Sequence, residues 1–180
     1  MKRNELEGLL PDVFRRTARP GSVLAALLDV MAAYHAPSEE ILATLDSFFD
    51  PYRTPDDFVP YLAGWVDLLR FLDDAPEGSN TDGVTFAGGP GRLRELIAAA
   101  AHLTRWRGTA YGLVLFLETA TGVPGFVIEE DVPGPDGRPL PFHLRVVVPA
   151  AAQAAAILIR QIVQMEKPAY VTFELVFGGG

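Results

Sequence analysis

The sequence predicts an α+β fold, in which a helical N-terminal region of about five helices precedes a small β-β-α-β module. Two observations lead to this prediction. Apolar residues recur at helical spacing through roughly the first two thirds of the chain, and shorter alternating runs that are typical of strands then follow. The composition is that of a folded protein, because hydrophobic residues make up 49% of the 180 residues and charged residues 21%.

Helix signals begin after a short apolar segment. Residues 9–16 are interrupted by Pro11, so we expect an extended or irregular arm there. Ser22 is the predicted N-cap of the first helix. The dipeptide Pro37-Ser38 is expected to end that helix and to cap a second one.

A third helix is predicted to begin at Thr54, which would cap it, with Pro55 at its first helical position. Its apolar positions run as far as Leu72: Phe58, Leu62, Trp65, Val66, Leu69 and Leu72. Asp74 to Gly91 is rich in Gly, Pro, Ser, Asn and Asp, which is typical of a linker. We therefore expect an arm and helical region over 1–73, a linker over 74–91, and a helix pair plus the C-terminal module over 92–180, as one integrated subunit.

The second half of the chain predicts a helix pair and then the sheet module. The helices are expected over 92–104 and 109–121, separated by Gly108. Strands are predicted at 126–128, 142–148 and 170–177, with a turn at 133–137 and a helix opened by Pro149 between the second and third strands. If those two strands are parallel neighbours, a right-handed crossover is expected between them.

Composition and motifs argue against catalysis and cofactor binding. The chain has no cysteine and a net charge of −8, so thiol chemistry is excluded and phosphate backbones are repelled overall. His35, His102 and His143 are scattered, and the paired acids fit helix ends and a strand end better than a cleft. We found no nucleophile motif, no phosphate-loop motif, no signal peptide and no apolar run near the roughly 20 residues of a membrane span. We expect no enzyme, no cofactor, no small-molecule substrate and no membrane insertion.

Three stretches resemble the phage tail protein I family when they are taken in order. They are the segment 10–15, the segment 49–65 with its two prolines and aromatic residues, and the segment 105–113, Arg-Trp-Arg-Gly-Thr-Ala-Tyr-Gly-Leu, followed by Thr-Gly-Val at 121–123 and the acidic strand end at 128–130. The resemblance covers most of residues 9–131, and the C-terminal module resembles the family only in a general way.

The resemblance implies a structural baseplate-wedge subunit of a contractile phage tail, a tailocin or an extracellular contractile injection system. Such a subunit packs with other wedge proteins around the hub and helps to couple baseplate rearrangement to sheath contraction. It implies hetero-oligomeric assembly with wedge and hub proteins, and a location in the cytoplasm during assembly and then in the particle. Aromatic and arginine side chains are enriched at interfaces, so the candidate interface residues are Phe14, Phe58, Trp65, Arg105, Trp106, Arg107 and Tyr111.

Two alternatives stay open at the level of the sequence. One is a helical DNA-binding regulator that uses the basic cluster Arg92, Arg94, Arg105 and Arg107, although the helix after Thr109 is too apolar for base recognition. The other is a small hydrolase, which would need acids or histidines that converge in a pocket.

Overall fold

The computed structural model describes residues 3–74, 84–135 and 137–178, which form two compact units, Met1–Asp50 and Pro51–Gly180. The described residues combine eight α-helices with one two-stranded and one three-stranded sheet. The predicted α+β class, with its helical N-terminal region, is confirmed. The predicted segment boundaries 1–73, 74–91 and 92–180 stay a prediction.

The N-terminal unit consists of helices. These are α1 (Arg3–Gly8), α2 (Asp12–Arg15), α3 (Val23–Ala43) and α4 (Leu45–Phe48). The Ser22 hydroxyl accepts a hydrogen bond from the Ala25 amide at 3.1 Å, which confirms the predicted cap of α3. Helix α1 lies on α3, where Leu6 and Leu28 are buried and Arg3 pairs with Asp29 at 3.3 Å.

Two predictions for this unit were wrong. Pro37 lies inside α3 and does not end it, so Ser38 caps no new helix. Pro37 has no amide hydrogen, so the carbonyl of Ala33 on the preceding turn loses its helical hydrogen bond. Ala33 is exposed, and water can bond to that carbonyl instead. The expected irregular arm contains α2, because Pro11 directly precedes the first helical residue instead of interrupting the helix.

The C-terminal unit begins with short elements. Helix α5 (Val59–Trp65) follows a 3₁₀ turn at Asp56–Phe58 and precedes another at Leu69–Phe71. Strands β1 (Leu72–Asp74) and β2 (Val84–Phe86) pair antiparallel. The unit continues with α6 (Pro90–Arg105), α7 (Ala110–Thr121), β3 (Val127–Glu129), β4 (His143–Val148), a 3₁₀ turn at Ala150–Ala155, α8 (Ala156–Glu166) and β5 (Thr172–Phe177).

The third predicted helix is shorter than expected at both ends. Thr54 does not cap it, because its buried hydroxyl oxygen has no hydrogen-bond partner among the described residues. The helix ends at Trp65, and Asp67 then has a φ of 60°, a conformation that does not fit a right-handed helix. Leu69 and Leu72 therefore lie in a 3₁₀ turn and a strand.

The predicted linker contains regular structure. Strand β2 occupies 84–86 and α6 already begins at Pro90, while residues 75–83 lie outside the described part of the chain. Asp136 in the predicted turn at 133–137 also lies outside it. A two-stranded ribbon this short has no strong apolar alternation, which is why its composition indicated a loop.

The helix pair and the C-terminal module agree with the prediction. Thr109 caps α7 by accepting from the Gly112 amide at 3.0 Å. The larger sheet has the order β3-β4-β5, with β4 antiparallel to β3 and parallel to β5, so α8 lies in the crossover. Pro149 opens a 3₁₀ turn before α8, a detail that the prediction lacked. Buried residues of α5, α6, α7, α8 and one face of the larger sheet form the core.

Candidate functional site

The N-terminal unit carries an apolar stripe on α3 that faces solvent. Its members are spaced by four, three, four and seven positions and are exposed: Val23, Leu27, Val30, Tyr34 and Ile41. We call this stripe the α3 seam. Alternating spacings of four and three are those of a coiled-coil contact, in which such residues insert between side chains of a facing helix. Tyr34 is 81% exposed, so the seam has no covering within its own unit.

A cluster of aromatic rings lies on α5 in the C-terminal unit. The ring of Tyr61 lies 4.8 Å from that of Phe58 and 5.3 Å from that of Trp65, measured between centroids. Phe58 packs against the core, whereas Tyr61 is exposed and Trp65 is 60% exposed. Two predicted interface residues, Phe58 and Trp65, thus belong to one cluster, and the sequence analysis missed Tyr61 between them.

Trp106 and Tyr111 form a second exposed aromatic pair at the turn between α6 and α7. Their rings meet edge to face with centroids 5.2 Å apart. Gly108 has a φ of +78° in this turn, and a Cβ on Gly112 would lie 2.0 Å from the carbonyl oxygen of Trp106. The two glycines and the Thr109 cap therefore hold the pair in place.

The predicted interface residues Arg105 and Arg107 lie at the same end of α6. Arg107 pairs with Asp67 at 3.3 Å and with Glu166 at 3.5 Å. Arg70 also binds both carboxylates, through Asp67 at 2.8 Å and through a close contact with Glu166. The Glu166 side chain is only 8% exposed, so this cluster joins α8 to two other parts of the unit, and Arg107 already has intramolecular partners.

Two arginines of the basic cluster, Arg94 and Arg107, are paired with acids of their own unit. Arg94 donates to the backbone oxygens of Pro51 and Thr54 and pairs with Asp56 at 2.6 Å. Helix α7, which would have to enter a DNA groove, buries Leu113, Phe116 and Leu117 in the core. A recognition helix must present polar side chains to base edges, and α7 does not.

Two cavities of the C-terminal unit contain carboxylates. The larger, about 430 Å³, is lined by Trp65, Asp67, Arg70, Arg107 and Glu166 among others, so both of its acids are neutralised by arginine. The smaller, about 310 Å³, is lined by Glu130, His143, Lys167 and the exposed rings of Phe142 and Tyr170, among others. The larger cavity thus has both of its acids paired with arginine, whereas Glu130 and His143 both line the smaller one.

The histidines remain scattered, as the sequence indicated. His143 shares a 2.8 Å hydrogen bond with the Thr172 hydroxyl, His102 is exposed on α6, and His35 lies edge to face with Tyr34 on α3. Within 3–74, 84–135 and 137–178 we found no group of side chains that could hold a metal ion. The same residues include no helix with both the length and the hydrophobicity to span a membrane.

A row of alternating charges crosses the outer face of the larger sheet. Glu129 on β3, Arg145 on β4 and Glu174 on β5 occupy one register position. The Arg145 guanidinium donates to Glu174 at 2.5 Å and to Glu129 at 3.2 Å. The hydrogen bond to Glu174, followed by the attraction of both carboxylates, raises the pKa of Arg145. We call these three residues the charge row.

The predicted interface residues are exposed except for Phe58, which packs against the core, and Phe14 is exposed on α2 of the N-terminal unit. Their role in binding stays a prediction. The apolar periodicity of α3 is visible in the sequence but its exposed seam is not, because periodicity alone does not distinguish an internal contact from an external one. The charge row could have been found only from the strand register.

Exposed apolar and aromatic surfaces such as these are typical of proteins that assemble with partners. A family model described as phage tail protein (Tail_P2_I) matches residues 22–170. The match covers most of the chain, so this chain belongs to that phage tail protein family and is a structural component of a tail. No curated protein was found to match it.

Proposed function

We propose that the protein is a baseplate-wedge subunit of a contractile tail or injection system, which packs with other wedge proteins around the hub. In that position it would help to couple baseplate rearrangement to sheath contraction. Membership of the phage tail family supplies the setting, and the α3 seam is the observation that carries the proposal.

The seam supports bundling with a helix of another subunit. It extends from Val23 to Ile41, and 18 positions at about 1.5 Å each correspond to a contact roughly 27 Å long. The stripe is continuous at coiled-coil spacing, interrupted only where Pro37 takes the place of an apolar residue. A surface of this length and apolarity is typical of proteins that become buried in an assembly.

The aromatic groups of the C-terminal unit support a second contact. Trp65 and Tyr61 on α5 and Trp106 and Tyr111 at the helix turn are large, exposed and rigidly packed against neighbouring rings. Tryptophan and tyrosine with this exposure contribute heavily to protein–protein binding. A subunit with more than one exposed apolar or aromatic surface is suited to bind several neighbours in a ring.

The first experiment is co-purification from the native host. The chain is tagged, sedimentable particles are isolated, and the accompanying proteins are identified. We expect sheath, tube and other baseplate proteins to be recovered with it. A chain that stays soluble, folded and free of these proteins while particles form normally would rule out the wedge role.

A matched pair of variants tests the seam. Tyr34→Glu places a charge in the middle of the seam, whereas Ala36→Glu places the same charge on an exposed residue about 200° around the helix. We expect Tyr34→Glu to reduce incorporation into particles at least about tenfold and Ala36→Glu to have little effect, because only the first buries a charge in the contact. Equal incorporation of both variants would contradict a role for the seam.

A further inference from the structure

Strand β5 has an open edge. It is the last strand of the sheet order β3-β4-β5. The amide of Thr172 donates to the Phe142 carbonyl at 2.8 Å and that of Gly178 to the Val148 carbonyl at 2.9 Å. In a parallel pair alternate residues bond to the neighbour, so the backbone groups of Phe173, Leu175 and Phe177 point away from β4. Among the residues that the structure describes, no strand lies on that side.

The two edges of the sheet differ. Strand β3 has three residues and is followed by Pro133, which is bridged to Pro139. Strand β5 has six residues, Thr-Phe-Glu-Leu-Val-Phe, without a proline or a lysine. Soluble proteins block free edges with short strands, prolines and lysines, and β5 has none of these. The β5 edge therefore has the features of a docking edge.

The charge row ends at this edge with a negative charge. From β3 to β5 its signs are minus, plus and minus, and the Glu174 side chain at its end is 43% exposed. Side chains opposite one another on adjacent strands attract when their charges differ and repel when they match. A further strand that continued the row would therefore carry a cation opposite Glu174.

We propose that an extended segment of a neighbouring tail subunit adds to β5 as a fourth strand and places a lysine or arginine opposite Glu174. This inference rests on the proposed function, since it names the kind of partner and the contact it makes. Main-chain hydrogen bonds to Phe173, Leu175 and Phe177 would provide binding, and the charge opposite Glu174 would fix the register.

The neighbouring positions define the rest of the partner strand. Val176 lies on the same outer face as Glu174, two residues along, and is half exposed. Leu175 and Phe177 lie on the inner face, where Phe177 remains partly open to solvent. The partner strand is therefore expected to place an apolar residue beside Val176 and another beside Phe177, extending both the valine row and the core.

A second copy of this chain does not fit the edge. Residues that face each other in an antiparallel pair lie on the same side of the sheet, so Glu174 of one copy would meet Thr172, Glu174 or Val176 of the other. None of these is basic, and the symmetric register places two glutamates together. The charge of the edge thus favours a different protein with a basic strand.

The test compares charge reversal at the two ends of the row. Glu174→Lys and Glu129→Lys each remove one partner of Arg145 and add the same charge, but only Glu174 lies at the open edge. Both full-length variants are expressed in the native host, and their amounts in purified particles are compared with the wild type. We expect at least about a tenfold reduction for Glu174→Lys and less than about a twofold change for Glu129→Lys, because like charges across a contact exclude a partner.

A second pair of variants tests the backbone contact. Phe177→Pro removes an amide that points outward, whereas Phe177→Ala removes the side chain and keeps the amide. Thermal unfolding of each purified variant establishes that it is folded. We expect the proline variant to be incorporated several-fold less than the alanine variant.

The outcomes separate this inference from the wedge proposal. Failure of the wild-type chain to enter particles would overturn the wedge proposal and this inference with it. Incorporation of wild type and Glu174→Lys in equal amounts would overturn the inference alone. Recovery of Glu174→Lys particles through a lysine or arginine changed to an acid in another tail protein would identify the partner strand. Homodimers cross-linked through β5 would show that a second copy occupies the edge and would overturn the inference.

Discussion

Residues 51–180 bury side chains of four helices and one face of the larger sheet in a common core, whereas among the described residues of 1–50 the buried apolar side chains are those of Leu6, Ala25 and Leu28. The difference does not come from a lack of apolar residues, since α3 is rich in them. It comes from their placement, because five of the nine apolar residues of α3 that are larger than alanine lie on the exposed α3 seam.

A unit with so little buried surface gains little stability from its own packing. Isolated helices are marginal in water, and helices in proteins are stabilised mainly by burying an apolar face. The C-terminal unit therefore supplies the cooperative core, while the N-terminal unit is expected to open at a lower free energy until a partner covers the seam. The C-terminal unit is therefore expected to fold on its own packing, whereas the N-terminal unit depends more on contacts made in the assembly.

The largest expected effect is in the core of the C-terminal unit. Phe71 is 1% exposed and lies 5.1 Å from the ring of Phe116. We expect Phe71→Ala to lower the free energy of unfolding by about 3–5 kcal/mol, because it leaves a cavity. Leu27→Ala on the seam should change it by less than about 0.5 kcal/mol. Urea unfolding of the two variants measures both changes in the free energy of unfolding. Changes of similar size would contradict the proposed difference in stability between the units.

Pro37 offers a way to strengthen the weaker unit. A proline inside a helix costs about 3 kcal/mol relative to alanine. We expect Pro37→Ala to slow amide hydrogen exchange across α3 and to leave exchange in α6 and α8 unchanged. Slower exchange throughout the chain would instead indicate that the two units unfold as one, and would contradict the division drawn above.

A smaller effect is expected at the ion-pair cluster of the C-terminal unit. Glu166→Gln removes the nearly buried charge that Arg70 and Arg107 share. We expect a loss of about 2 kcal/mol, less than for a fully buried pair because both arginines are partly exposed. Glu129→Gln, at an exposed pair, should cost less than about 0.5 kcal/mol. Chemical denaturation compares them, and equal losses would show that the cluster contributes nothing beyond a surface pair.

The sequence predicted best the elements whose signals are local. Helices α6 and α7 combine regular apolar spacing with a threonine cap, and the β-β-α-β order follows from a change of period. Helix α5 ends after Trp65 because of the backbone conformation of Asp67, which no local sequence pattern predicts. Pro37 was misinterpreted because a proline usually ends a helix, and nothing in the pattern shows that the turn before it is solvated.

The candidate surfaces were harder to predict than the fold. Residue type was enough to single out the exposed side chains of Trp65, Trp106 and Tyr111. The contacts of Trp65 with Tyr61 and of Trp106 with Tyr111 depend on how the chain folds and could not be predicted from residue type. The charge row depends on the pairing of three strands distant in sequence, so its alternation appears only with the register.

The tight turn between α6 and α7 has a consequence for the thermodynamics of docking. Gly108, Gly112 and the Thr109 cap leave Trp106 and Tyr111 in one arrangement before any partner arrives. A partner that binds there meets rings that are already fixed, so little conformational entropy is lost on association. A partner that binds α3, in contrast, must also order a helix that its own unit stabilises only weakly. The conformational entropy lost in that ordering reduces the net free energy of binding.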